Sequence, residues 1–341
     1  MDVSVIIPTF GRAEKLGRCV ARLARQDFPR ERFEVLVGVD GRSEQETGDA
    51  VHEIAARAAG SVRCEVFQFD HAGPGVTRNR LIERANGKLI LMLNDDVLAA
   101  PDLITRHVEA HEQLQSSRHP SVRKSAMILG AAPWLVPADD SLFDRLSRET
   151  SMIFFYDRMD AALSRSEVGP DHDWGFRHAW TLNLSMPRAV FDHVGGFDTR
   201  LRFAMFEDLE FAYRARTIAG APVLYRPAAI VEHDHRISVT DYLARERKLG
   251  LAAWELAGAA PNCAAEVFRR DIRSSAEIAD CRAFIDRERD HAAQTRERMH
   301  TWQNTPANAV AASDLPALYE SHLIAKRWEW RMGLLEAADC H

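Results

Sequence analysis

The chain has 341 residues, of which 46% are hydrophobic and 28% charged; this usage excludes a disordered or fibrous protein and leaves room for one large domain with an extension, or for two domains. Lys plus Arg total 44 and Asp plus Glu 50, a formal net charge of −6, so a nucleic-acid binder, which needs a basic face for phosphates, is not expected. The 5 cysteines include no CxxC pair, which argues against a disulfide framework or a structural zinc site and for a reducing compartment.

Val3 to Ile7 reads as a buried strand ended by Pro8. No basic n-region or cleavage site precedes it, and no apolar run approaches the ~20 residues of a membrane helix, so a cytoplasmic protein is expected, with peripheral membrane contact left open. Ala13 to Arg25 carries Leu16, Val20 and Leu23 at helical spacing. Strands follow at Glu34 to Val39, Val62 to Phe67 and Lys88 to Leu93, separated by helices at Glu46 to Ala59 and Gly75 to Ala85; Pro101 opens a further helix. This alternation implies an α/β fold of Rossmann-like type, with a mixed, mostly parallel sheet flanked by helices. Ligands of such sheets bind beyond the carboxyl ends of the strands, where Asp40 and Asp95-Asp96 lie.

Farther on, Ser125 to Ala132 and Thr181 to Met186 read as strands, and Asp139 to Arg148 and Pro187 to Val194 as helices. Gly169 to Trp180 has neither period and reads as a long loop of the kind that often carries function. Glu207 to Ala219 is a helix stopped by Gly220, and Val223 to Tyr225 and Ala228 to Val231 are two short strands. After Val239 strand signals vanish, leaving helices at Asp241 to Ala257, Ala264 to Met299 and Leu315 to Leu335. The expected division is a catalytic domain over 1–238 and a helical extension over 239–341. Trp302, Trp328 and Trp330 in the extension are read as packing residues, with a partner surface, homo-oligomer formation or a membrane surface as the other uses.

An ordered set of motifs points to chemistry: Pro8-Thr9-Phe10-Gly11-Arg12, Val39-Asp40-Gly41-Arg42-Ser43, Gly75-Val76-Thr77-Arg78-Asn79, Asn94-Asp95-Asp96, Gly195-Gly196-Phe197-Asp198, Phe206-Glu207-Asp208-Leu209-Glu210 and Val231-Glu232-His233. In that order, over roughly residues 1–240, it resembles the family 2 glycosyltransferases of GT-A fold. The resemblance implies an inverting, metal-dependent transfer of a sugar from a UDP-, dTDP- or GDP-linked donor to an unidentified acceptor hydroxyl, of hexosyltransferase type. A nucleotidyltransferase acting on sugar phosphates is the rival on a similar fold, but Pro8 to Arg12 holds one glycine and makes no phosphate loop. A non-catalytic binding scaffold is the third reading.

The resemblance assigns Pro8, Thr9, Arg12, Asp40, Arg78, Asn94 and Asp95 to the nucleotide-sugar. Asp40 can accept from a base N–H, although Asp-Gly is also a common turn pair; Arg80 is the alternative to Arg78. Asp96 is the expected ligand of a Mn²⁺ or Mg²⁺ ion, which offsets charge on the leaving diphosphate. His233 is a further ligand by its place in the motif, with His235 and Asp234 as alternatives; the other use of the two acids is helix capping. Asp208 is the expected general base, with Glu207 as the alternative. Trp174 and Trp180 are candidates for stacking on a sugar, against core packing, and Asn183 for the wall of the sugar pocket.

Overall fold

The computed structural model describes residues 1–41, 48–114, 125–201 and 203–340. Arg42 and Ser43 of the second motif, and the expected start of a helix at Glu46, lie outside them. The chain divides into two compact units, one of residues 1–135 and 159–235, the other of 136–158 and 236–341. The second unit therefore takes in a stretch, 136–158, that the sequence assigned to the catalytic domain.

The first unit is built on a sheet of order β3-β2-β1-β4-β7-β6-β8-β5. Strands β1 (Val3–Thr9), β2 (Phe33–Asp40), β3 (Cys64–Phe69) and β4 (Leu89–Leu93) are parallel. β1, β2 and β4 are buried throughout their length, which is why they read as continuous apolar runs rather than as alternating ones. Helices α1 (Ala13–Leu23), α2 (Gly48–Ala59) and α3 (Pro74–Ile82) make the crossovers. Because β1, β2 and β4 point the same way, Thr9, Asp40 and Asn94 to Asp96 emerge at one edge of the sheet.

The remaining strands are β5 (Val97–Ala99), β6 (Met127–Ala131), β7 (Asn183–Pro187) and β8 (Val223–His233). β7 runs antiparallel to both β4 and β6, with Leu93 opposite Asn183, so the chain entering β7 returns to the edge that carries the acids. β6 and β8 are parallel. The two short strands expected after Gly220 are one strand of 11 residues. Its register slips between Gly130 and Ala131 of β6, which face Arg226 and Ile230, so Pro227 to Ala229 bulge out; proline lacks the N–H that a regular ladder needs there. β5 was not legible at all. It is three residues long and pairs antiparallel with the end of β8, Val97 opposite His233.

Helices α4 (Leu103–Leu114), α7 (Arg188–Val194) and α8 (Glu207–Ala219) complete this layer, and Gly220, at φ 61°, ends α8 as expected. In the second unit, α5 (Leu142–Glu149) packs Leu142, Phe143 and Leu146 against Tyr242, Met299, Trp302 and Leu315. These partners come from α9 (Val239–Ala259), α11 (Ser275–Gln303) and α12 (Leu315–Asp339), with α10 (Pro261–Phe268) between. Helix α6 (Tyr156–Ser164), not expected from the sequence, follows α5. Trp328 donates its indole N–H to Ile285 O, and Trp330 lies against Phe268, so Trp302, Trp328 and Trp330 pack inside this unit. No helix among the described residues is long and apolar enough to cross a membrane.

Candidate functional site

The two acids after β4 are withdrawn from water, Asp95 at 0% and Asp96 at 3% exposure. Thr9, the last residue of β1, donates its hydroxyl to Asp95 Oδ2 at 2.7 Å. Arg12 reaches over the edge and joins both carboxylates: Nη2 to Asp95 Oδ1 at 2.6 Å, Nε to Asp95 Oδ2 at 3.2 Å and Nη1 to Asp96 Oδ2 at 2.8 Å. Burial pushes the Asp95 carboxyl up to about 6, against the pull of Arg12. Burial acts on Asp96 in the same direction, but the neighbouring imidazoles of His233 and His235 and the charge of Arg12 hold it well below the usual carboxylate range.

The pairing of Val97 with His233 sets residues 233–235 beside Asp96, and Asp234 N–H donates to Asp96 O at 2.8 Å. His235 Nδ1 lies 3.2 Å from Asp96 Oδ2, and His233 Nε2 3.6 Å from Oδ1. The ligand-type atoms of Asp96, His233 and His235 all lie within 4.8 Å of one another. Asp96 Oδ1 is buried and has no hydrogen-bond partner among the described residues. That orphan oxygen, flanked by two imidazoles, fits a divalent cation. Asp234 turns away from this cluster: its carboxylate pairs with Arg18, and its carbonyl accepts from Lys15 Nζ at 2.7 Å. Burial lowers the His233 pKa despite the pull of Asp96, which favours the neutral imidazole that a metal requires.

Arg78, on α3, links this corner to the acids at the start of α8. Its Nη2 donates to Asn94 Oδ1 at 3.1 Å and its Nη1 to Glu207 Oε1 at 3.3 Å. Asp208 therefore begins its helix on the same side of the sheet as Asp95 and Asp96. The Gly195-Gly196 turn supports the arrangement from behind. Asn79 pins Phe197 through both N–H and C=O at 2.8 and 2.9 Å, and Arg214, held by Glu210, donates to Gly196 O at 2.7 Å. Burial, with repulsion from Glu207, pushes Asp208 up to about 7, while Arg78 opposes it. Glu207 is also raised by burial, and its Oε2 has no hydrogen-bond partner among the described residues.

At the end of β2, Asp40 accepts from Ala72 N–H at 2.8 Å and Gly73 N–H at 3.0 Å, just before α3. These bonds use two of its lone-pair positions and leave others for a ligand. Beside it opens a cleft of about 410 Å³ lined by Gly41, Gln68, Phe69, Asp70, His71 and Arg80, within the range for small-molecule sites. Phe10, 48% exposed, faces His71 with ring centroids 5.2 Å apart. Arg80 lines this cleft, whereas Arg78 is buried between protein groups. Pro8 is a buried strand residue opposite Gly38.

Three expected pocket residues have other partners. Asn183 is 0% exposed and its amide is fully committed: Nδ2 donates to Ala131 O and Ala229 O at 3.0 and 2.9 Å, and Oδ1 faces His107 Nε2 at 2.9 Å. It fills the β8 bulge rather than a sugar pocket. Trp174 donates its N–H to Val223 O at 2.9 Å; Val223 opens β8 opposite Met127, at the end of the sheet remote from the acids. Trp174 packs on His172 and His178, and Trp180 on His178. The aromatic residue that does meet the site is Trp134, whose ring lies 5.1 Å from His233 and 5.6 Å from His235. It directly follows the carboxyl end of β6, a position that could have singled it out had the β6–β8 pairing been known.

Residues 1–249 match the family described as "Glycosyltransferase like family 2". Over 238 residues the chain is 31% identical to a validoxylamine A glucosyltransferase of Streptomyces hygroscopicus subsp. jinggangensis, covering 62% of this chain and 50% of that one. It thus spans about half the length of the curated relatives it matches. Among solved structures, TarS 1–349 of S. aureus in complex with UDP aligns with TM-score 0.52 and 17% identity, covering 100% of this chain and 92% of that one. The mannosyltransferase PcManGT of Pyrobaculum calidifontis, in complex with GDP-Man and Mn²⁺, aligns with TM-score 0.55 and 15% identity, covering 99% and 86%. At these identities the two structures support a shared GT-A-type fold.

Proposed function

Since the chain belongs to the family 2-like glycosyltransferases, we propose that it transfers a sugar from a nucleoside-diphosphate sugar to an acceptor hydroxyl with inversion. The observation that carries the reading is the Arg78 bridge, which ties Asn94 to Glu207 and so brings a buried diacid corner and an acid with a raised pKa to one edge. The donor base takes the cleft beside Asp40, its ribose hydroxyls lie toward Asp95, and its diphosphate toward Thr9 and Arg12. The base is uracil, thymine or guanine; TarS binds UDP and PcManGT binds GDP-Man.

Asp96, His233 and His235 would hold the divalent cation, which when bound supplies counter-charge to the leaving diphosphate. A carboxylate with two imidazoles suits Mn²⁺ better than Mg²⁺, which prefers an all-oxygen shell. Asp208 accepts the proton of the acceptor hydroxyl as its oxygen bonds to the anomeric carbon. The sugar–phosphate bond breaks on the opposite face, which inverts the centre. A carboxylate whose pKa is near 7 suits this task, because about half of it is ionised at neutrality and it is a stronger base than an ordinary carboxylate. The 5 cysteines are free thiols, in keeping with a cytoplasmic setting.

Incubating the protein with UDP-, dTDP- and GDP-sugars and Mn²⁺ tests the reading. One of these donors should release its nucleoside diphosphate, and EDTA should stop the release. Release of pyrophosphate from a nucleoside triphosphate and a sugar phosphate would instead favour nucleotidyl transfer.

A further inference from the structure

Arg12 has a place in this site beyond contact with the donor. It stands at the N-cap position of α1 but makes no capping hydrogen bond. All three of its guanidinium nitrogens are spent on Asp95 and Asp96, which are buried, while its own side chain is 40% exposed. The arm therefore enters from solvent and can leave without opening the core. Gly11, at φ 62°, makes the turn that folds it back over the end of β4.

Its third contact is the informative one. Arg12 Nη1 and His235 Nδ1 share Asp96 Oδ2, at 2.8 and 3.2 Å. A cation held by Asp96 and His235 would sit beside the guanidinium, and the two positive charges repel at such range. The guanidinium and the cation thus compete for the one carboxylate of Asp96, Arg12 holding Oδ2 beside the free Oδ1.

We propose that Arg12 is the resident counter-cation of the Asp95–Asp96 corner and gates the divalent ion, leaving the carboxylates for the donor's diphosphate as the cation enters. This rests on the nucleotide-sugar reading above. A guanidinium fork pairs with phosphate as well as with carboxylate, so Arg12 exchanges one anion for another and stays paired throughout. Donor and cation then favour each other's binding, and by linkage the effect is reciprocal. A cation alone binds poorly because Arg12 holds its place.

The test is Mn²⁺ binding to the full chain, followed through the EPR signal of the free aquo ion, without nucleotide and, separately, with saturating UDP, dTDP or GDP. Wild type should bind Mn²⁺ weakly alone and about tenfold more tightly with one of the nucleotides. Arg12→Gln should bind Mn²⁺ about tenfold more tightly than wild type without nucleotide, and the nucleotide should then add little. If that variant does not fold, Arg12→Lys serves, with one contact in place of three and an increase of about threefold expected. A folded variant binding Mn²⁺ no more tightly than wild type would reduce Arg12 to a structural prop while leaving the metal assignment intact. Wild type that takes up no Mn²⁺ with any of the three nucleotides would remove the metal assignment and the gate together.

Discussion

Asp208 is where structure and chemistry pull against each other. Its pKa is pushed up to about 7 by burial and by Glu207. A base must be ionised, so kcat/KM should rise with pH and level off above about 7, as a pH–rate profile will show. Asp208→Asn should lower kcat by about 10²–10⁴-fold, the usual worth of a general base, and abolish that limb of the profile. Linkage sets the sign of the stability effect. A folded-state pKa above the unfolded one means stability that is full at low pH and lost as pH rises through about 7. Asp208→Asn should therefore melt higher than wild type at pH 8 by about 2–4 °C, taking roughly 1 kcal/mol after discounting for partial exposure. Below pH 4 the two should converge.

At the same scale, the placements legible from sequence were those set by a strand end: Thr9, Asp40, Asp95 and Asp96. That Arg78 is a buried bridge and Arg80 lines the cleft was not legible, because spacing does not reveal which of two nearby arginines faces inward. The grip of Arg18 on Asp234, which turns that acid away from the cluster, joins residues far apart in the chain and has no local signature.

Among the elements, the β6–β8 pair decides most. The bulge at Pro227 to Ala229 leaves carbonyls to be satisfied, and Asn183 satisfies Ala131 O and Ala229 O from the neighbouring strand. Because its Nδ2 is the donor, its Oδ1 accepts from His107 Nε2–H. Burial pushes the His107 pKa down to about 4, so the ring stays neutral in this role. Gly130 is the required partner, since a Cβ there would run into the Asn183 amide and Ala229 O. Asn183→Ala should destabilise the fold by about 2 kcal/mol through unpaired buried groups, seen as a lower melting temperature, with donor KM unchanged. A raised KM at unaltered stability would return Asn183 to the sugar pocket.

The same pair explains what sequence could not supply. β5 is too short to show a period, yet its register with β8 is what sets His233 and His235 beside Asp96. Trp134 meets both histidines only because residues past the end of β6 continue the pairing. Trp174 lies at the end of the sheet remote from the acids, and side-chain type does not say at which end of a sheet a loop is tied. The parallel half was more legible, because β1, β2 and β4 are buried on both faces and carry the apolar runs that such burial demands.

For the whole molecule, the division of the chain has a practical consequence. Residues 136–158 belong with 236–341, and Leu142, Phe143, Leu146 and Met152 share a core with Tyr242, Met299 and Trp302. A fragment cut at residue 238 keeps the first set and loses the second. It should expose that apolar surface and aggregate or bind hydrophobic dye, whereas a monomeric, cooperatively melting 1–238 fragment would show that the boundary suggested by composition is the working one. The change to an all-helical pattern after Val239 marks where strands end, but composition does not show that an earlier helix packs with the later ones.

Asp96, His233 and His235 are proposed to hold a cation for a nucleotide-sugar donor. Anomalous diffraction from crystals grown with Mn²⁺ and the nucleoside diphosphate that the enzyme releases tests this assignment most directly. One strong manganese peak should lie in contact with Asp96 and at least one of the two imidazoles. A bound nucleotide with no manganese at Asp96 would contradict it.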